Sequence, residues 1–116
     1  MNIYEKLSAI QNELKCPKGQ YNSFGKFKYR SCEDILEAVK PLCYKHKATL
    51  ILTDEIVEHN DNYVEATAKL FDQESEQFVF CYGYAREDKE QKGMSAGQLT
   101  GATSSYARKY ALNRII

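Results

Sequence analysis

The chain has 116 residues, of which 43 % are hydrophobic, the size and apolar content of one domain with one modest core. Its 16 basic and 16 acidic side chains leave it formally neutral, which by itself argues against a nucleic-acid partner. No apolar run approaches the ~18 residues of a membrane span; Cys16, Cys32, Cys43 and Cys81 are widely spaced with no CxxC pair, and only two histidines, His46 and His59, are present to complete a zinc site. The cysteines read as free thiols of a reducing cytosol. Charged and apolar residues alternate through Met1–Lys15, which is not the pattern of a signal peptide.

Ile3, Leu7, Ile10 and Leu14 recur at helical spacing, so residues 2–15 are expected to form an amphipathic helix that ends at Pro17 and Gly19. Residues 16–30 are expected to be a loop rich in Lys, Gly and aromatics. Ser31 and Asp34 resemble a capping box, followed by Ile35, Leu36, Val39, Leu42 and Cys43 in helical period. They predict a second helix over 32–46, kinked or shortened by Pro41. Three strands follow: 49–58, 63–71 and 78–85. Val64, Ala66, Ala68 and Leu70 share one face of the second, and Phe78, Phe80, Tyr82 and Tyr84 one face of the third. Short turns at 60–62 and 72–77 make them an antiparallel meander. Residues 86–92 are charged and lead to Gly93. Ser95 and Gln98 then begin a last helix reaching at least Asn113, with Leu99, Ala102, Tyr106, Tyr110 and Asn113 as its expected core stripe. The predicted fold is α+β: two N-terminal helices, a three-stranded antiparallel meander and a long C-terminal helix packed on the sheet, as one domain over 1–116. A helix ending on Ile115-Ile116 without a capping glycine suggests that a natural C-terminal tail is absent.

The charge is unevenly placed. Lys15, Lys18, Lys26, Lys28 and Arg30 lie in one acid-free stretch; Arg108, Lys109 and Arg114 lie in another, after Gly93. A neutral chain can still present a basic groove beside an acidic flank. The first stretch interleaves cations with aromatics in Phe24-Gly-Lys-Phe-Lys-Tyr-Arg30. Cations neutralise phosphates, and aromatic faces stack on unpaired bases at ~1–3 kcal/mol each. The alternative is that these aromatics are core anchors beside solvated lysines. In the last helix, Arg108 and Lys109 diverge by ~100°. The simplest arrangement puts Tyr106 and Tyr110 on the sheet and at least one cation in a groove. The alternative pairs a cation with Glu87 or Asp88. Gly97 and Gly101 expose backbone on one side of that helix, either for tight packing on its own sheet or for a subunit contact. Glu55, Glu58 and Asp61 are close in sequence, but such acids are more often the solvent side of a strand than a nuclease metal site. Nothing in Gly97–Gly101 continues into a P-loop.

Two stretches resemble a known family. Phe27-Lys-Tyr-Arg-Ser-Cys-Glu-Asp-Ile-Leu-Glu-Ala-Val-Lys-Pro-Leu42 is similar to the N-terminal signature of ERF (essential recombination function) proteins. Gly93-Met-Ser-Ala-Gly-Gln-Leu-Thr-Gly-Ala-Thr-Ser-Ser-Tyr-Ala-Arg-Lys-Tyr-Ala-Leu-Asn113 is similar to their second signature. The resemblance implies a phage or prophage protein that binds single-stranded DNA and anneals complementary strands without ATP or other cofactor. It implies kinship in fold with Rad-type annealing mediators, whose β-β-β-α cores assemble into rings or filaments. The positions that match the family's DNA groove are Arg108 and Lys109, with Lys26, Lys28, Tyr29 and Arg30 as loop contacts. Further implications are a homo-oligomer with Gly97 and Gly101 near the contact, a host or phage single-strand-binding protein as partner, no enzymatic activity, no membrane association, and the bacterial cytoplasm as location. The order α-β-β-β-α also describes a double-stranded RNA-binding domain, but that domain has one preceding helix and places its cations at the start of the last one. A protein-interaction module is the remaining alternative; salt-sensitive DNA binding separates it from the annealing reading.

Overall fold

A computed structural model describes residues 1–88 and 94–116, with His59 described by its backbone alone. The expected lead-in to the last helix, 89–93 with Lys92 and Gly93, lies outside the described residues. The elements are α1 (Ile3–Glu13), β1 (Gln20–Asn22), β2 (Phe27–Tyr29), α2 (Cys32–Lys45), β3 (Ala48–His59), β4 (Asp61–Asp72), β5 (Phe78–Arg86) and α3 (Ala96–Ile115). The order β3-β4-β5 makes an antiparallel meander, and β1-β2 a separate two-stranded hairpin. The fold is α+β as expected, with one correction. Residues 16–30 are not a plain loop, because Tyr21 pairs with Lys28 and Asn22 with Phe27 across a tight reversal.

Local chemistry explains the boundaries. Each helix opens on a reciprocal capping box: Asn2 with Glu5, Ser31 with Asp34, and Ser95 with Gln98. Pro41 does not break α2. It sits in the last turns, on the exposed side, and the helix runs on to Lys45. β3 reverses into β4 at Asn60, whose φ of 66° suits a short polar side chain.

The core lies between the meander's inner face and the three helices. Val64, Ala66, Ala68 and Leu70 of β4 are buried there, as their alternation predicts. The facing stripe of α3 is a second correction. It is Leu99, Thr103, Ala107, Ala111 and Ile115, with Leu112, while Tyr106 and Tyr110 point outward and are exposed. The reason is on the sheet. Ala66 pairs with Gly83, so the inner face is almost flat where α3 crosses it. A methyl built on Gly83 would overlap Ala111 N and lie 2.5 Å from Ala107 O. Only a row of alanines allows that approach; a tyrosine row would hold the helix away from the sheet.

α1 is anchored by a charge that its apolar spacing hides. Lys6 is 2 % exposed. Its ammonium donates to Asp72 Oδ1 at 2.6 Å, Glu74 Oε1 at 2.8 Å and the Lys47 carbonyl at 3.1 Å. One side chain thus ties α1 to the end of β4 and to the link between α2 and β3. Asp72 also accepts from Ser75 Oγ and the Glu74 amide. The Lys6 ammonium first, then these two donors, hold its carboxyl down to about 2.

Two outcomes follow. Gly83→Ala should destabilise the fold by about 2 kcal/mol or more, since both atoms it meets are helix backbone; chemical denaturation measures it. Asp72 has a folded pKa below its unfolded 3.8. Its contribution is therefore present above ~pH 4 and lost as pH falls through about 2. Thermal unfolding of Asp72→Asn should start lower at neutral pH and fall less between ~pH 4 and ~pH 2 than the parent.

Candidate functional site

Because the alanine row of α3 faces the sheet, the neighbouring row of the helix faces the β1-β2 hairpin. Between them is a cleft of about 220 Å³, lined by Tyr29, Ser31, Cys32, Glu33, Ala102, Ser105, Tyr106 and Lys109. Arg30 clamps the hairpin in place: its guanidinium donates to the Cys16 carbonyl at 3.4 Å and to Asn113 Oδ1 at 3.3 Å. The Lys109 ammonium lies 5.5 Å from the centre of the Tyr29 ring, within cation–π range. Tyr29 also meets Phe27 edge to face, with centroids 6.0 Å apart. Three residues expected from the sequence, Tyr29, Arg30 and Lys109, are thus brought together, 80 positions separating Tyr29 from Lys109.

Arg108 is directed elsewhere. Its guanidinium is 3.8 Å from both Glu33 Oε1 and Asp54 Oδ2, and donates to Ser105 Oγ at 3.3 Å. Asp54 also accepts a hydrogen bond from Ser104. The acids beside Arg108 come from α2 and β3, not from Glu87 or Asp88; Glu87 instead accepts from Thr100. Arg108 therefore braces the wall of the cleft, with α2, β3 and α3 meeting on it.

Lys26 and Lys28 do not line the cleft. They stand exposed on the hairpin, Lys28 on the face opposite Phe27 and Tyr29. Lys26 has a φ of 55°, and the Asn22 side chain accepts from the Phe24 and Gly25 amides at 3.0 and 2.9 Å. That turn presents Phe24 with 99 % of its surface exposed, so this aromatic is not a core anchor.

Two titratable groups at or beside the cleft are shifted from their ordinary values. The Ser31 amide, with Lys109 contributing, holds the Asp34 carboxyl below the usual range. Burial pushes the Cys32 thiol up, keeping it neutral. Ser31, Glu33, Ser105 and Asn113 belong to the site but were not singled out for it from the sequence, and Tyr106 was placed on the sheet. Gly97 and Gly101 lie at the exposed start of α3, where an added methyl would meet nothing. Tight packing on the chain's own sheet is not their role; Gly83 makes that approach.

The ERF superfamily model matches residues 3–116, nearly the whole chain. The chain belongs to the ERF superfamily. It is 56 % identical over 112 residues to the essential recombination function protein of Salmonella phage P22. That match covers 96 % of this chain and 53 % of the phage protein, so the chain spans about half the length of its relative. No solved structure matches it. The two quoted signatures carry the site of this ERF chain: one holds Tyr29, Arg30 and Ser31, the other Tyr106 and Lys109.

The two adjacent cations should separate on mutation. Arg108→Ala removes a brace shared by three elements and should lower stability by about 1 kcal/mol or more. Lys109→Ala should stay within ~0.5 kcal/mol of the parent. Denaturant midpoints of the two variants check this.

Proposed function

We propose that this chain is the single-strand-binding and annealing domain of a phage recombination protein, acting without ATP and without chemical catalysis. The observation that carries the reading is the joining of Tyr29, Tyr106 and Lys109 along one cleft, with Arg30 clamping the hairpin beside it to Asn113 of α3. The hairpin, with exposed Lys26, Lys28 and Phe24, extends that cleft outward. The P22 relative's printed function, essential recombination, supports it.

The chemistry is simple. Lys26, Lys28 and Lys109 supply point charges for phosphates. Tyr29, Tyr106 and Phe24 offer ring faces to unpaired bases, which only a single strand presents. Arg30 and Arg108 hold the hairpin and the wall of α3 in position. Strand pairing itself releases the energy of annealing, so no nucleotide hydrolysis is needed. Homo-oligomerisation belongs to this reading, because one copy spans few phosphates; the exposed Gly97 and Gly101 side of α3 is available for a neighbour. A single-strand-binding protein of host or phage is the partner it would meet on DNA. No helix among the described residues is long and apolar enough to cross a membrane, and the host cytoplasm is where such a protein would work.

Complementary oligonucleotides should anneal faster with the protein than without it, with no ATP present. Lys28→Ala/Lys109→Ala should weaken single-strand binding and flatten its salt dependence. The slope of log K against log salt falls by ~0.7 per lost phosphate contact, so by roughly 1.4. A requirement for ATP, or an unchanged slope, would contradict the assignment.

A further inference from the structure

Glu33 lines the cleft between the β1-β2 hairpin and α3, and it has the wrong charge for a phosphate pocket. An anion seated there would face its carboxylate. The cations stand around the cleft: Lys26 and Lys28 outside it on the hairpin, and Lys109 on its wall over the Tyr29 ring. The rest of the lining, Cys32, Ala102, Ser31 and Ser105 with the two tyrosines, is uncharged. Phosphates therefore suit the surroundings of the cleft, and its interior suits a neutral ring.

Size narrows the ligand. The cleft holds about 220 Å³, below the roughly 300–1,000 Å³ of a pocket for a drug-sized ligand. One base fits; a whole nucleotide or a peptide turn does not. Glu33 narrows it further. The Arg108 guanidinium is 3.8 Å from Glu33 Oε1, beyond hydrogen-bonding distance, so the carboxylate keeps lone pairs to accept from a ligand. On a base edge, a carboxylate finds its donor in an exocyclic amino group. Cytosine carries one at C4, where thymine carries a carbonyl oxygen. C4 lies across the pyrimidine ring from N1, which bears the sugar. A pyrimidine entering ring first, with its phosphates left at the lysines, carries its C4 substituent farthest from the backbone.

We propose that the cleft seats a single unpaired base, ring inward and phosphates outward, and that Glu33 accepts from its amino group, so that cytosine is favoured over thymine. The proposal rests on the single-strand reading of this site. It adds which part of the strand enters and which bases fit best. Thymine occupies the same space, but turns an oxygen toward the carboxylate.

Binding of short oligodeoxycytidine and oligothymidine of equal length, at one salt concentration, tests it. The parent should bind the cytidine strand about threefold or more tightly, one charge-assisted hydrogen bond set against a repelled carbonyl. Glu33→Gln should bring the two affinities together, because an amide both accepts and donates. Its lost negative charge strengthens both strands alike and leaves the ratio untouched. The fold should hold, since Asp54 still faces Arg108 at 3.8 Å. Ala102→Leu, which fills the cleft, should weaken both strands and remove the preference while retaining far-UV circular dichroism. Equal affinities in the parent, or a preference for thymidine, would overturn the proposal and leave the single-strand reading standing. A cytidine preference that survives Glu33→Gln or Ala102→Leu would also overturn it. A parent that binds neither strand would overturn both.

Discussion

The close approach of α3 to the meander at Gly83 decides where every other side chain of that helix can point. With Ala107 and Ala111 against the sheet, the helix phase is set, and the rows on either side follow at ~100° per residue. Lys109 then reaches the Tyr29 ring, and Arg108 turns to Glu33 and Asp54. Tyr106, displaced from the core by the alanine row, becomes a wall of the cleft. A different choice of core row would have carried the same residues away from the hairpin.

The hairpin is the other half of the site, and its own stability is slight. Its strands are three residues each, too short to hold together in water without support. Arg30 supplies support through Asn113, and the ring of Tyr29 under Lys109 adds to it. The buried Lys6–Asp72 pair plays the matching part at the other end of the fold, where it adds a directional tie to the apolar packing of Ile3 and Ile10. Such a pair adds little net stability but penalises alternative placements strongly, because a misplaced Lys6 or Asp72 would be a buried, unpaired charge.

Much of this was legible in the sequence, for identifiable reasons. Capping boxes at Ser31 and Ser95 and the alternation of Val64 to Leu70 located α2, α3 and β4 to within a few residues. The family signatures pointed to the elements that form the cleft. What could not be read was phase and pairing at a distance. α3 is rich in Ala, Gly, Ser and Thr, so several of its rows could pass for a core stripe. The deciding residue, Gly83, lies on another element. The hairpin strands are too short to show alternation. Lys6 looks like a solvated lysine until Asp72, 66 positions away, is placed beside it. Arg108 and Lys109 look equivalent side by side, and only the positions of Glu33, Asp54 and Tyr29 separate the cation between two carboxylates from the one over an aromatic ring.

The two faces of the meander differ: one carries α3 and the cleft, the other the exposed strip of Phe78, Phe80, Tyr82 and Tyr84. The claim on which the account turns is that single-stranded DNA enters along the cleft between hairpin and α3. Titrating isotopically labelled protein with a short oligothymidine and following its amide resonances tests this directly. The account predicts shifts concentrated at Tyr29, Arg30, Ser31, Ser105, Tyr106 and Lys109, with Ile51, Thr67 and Phe80 on the opposite face unmoved. Shifts confined to that opposite face, or none at saturating oligonucleotide, would contradict it.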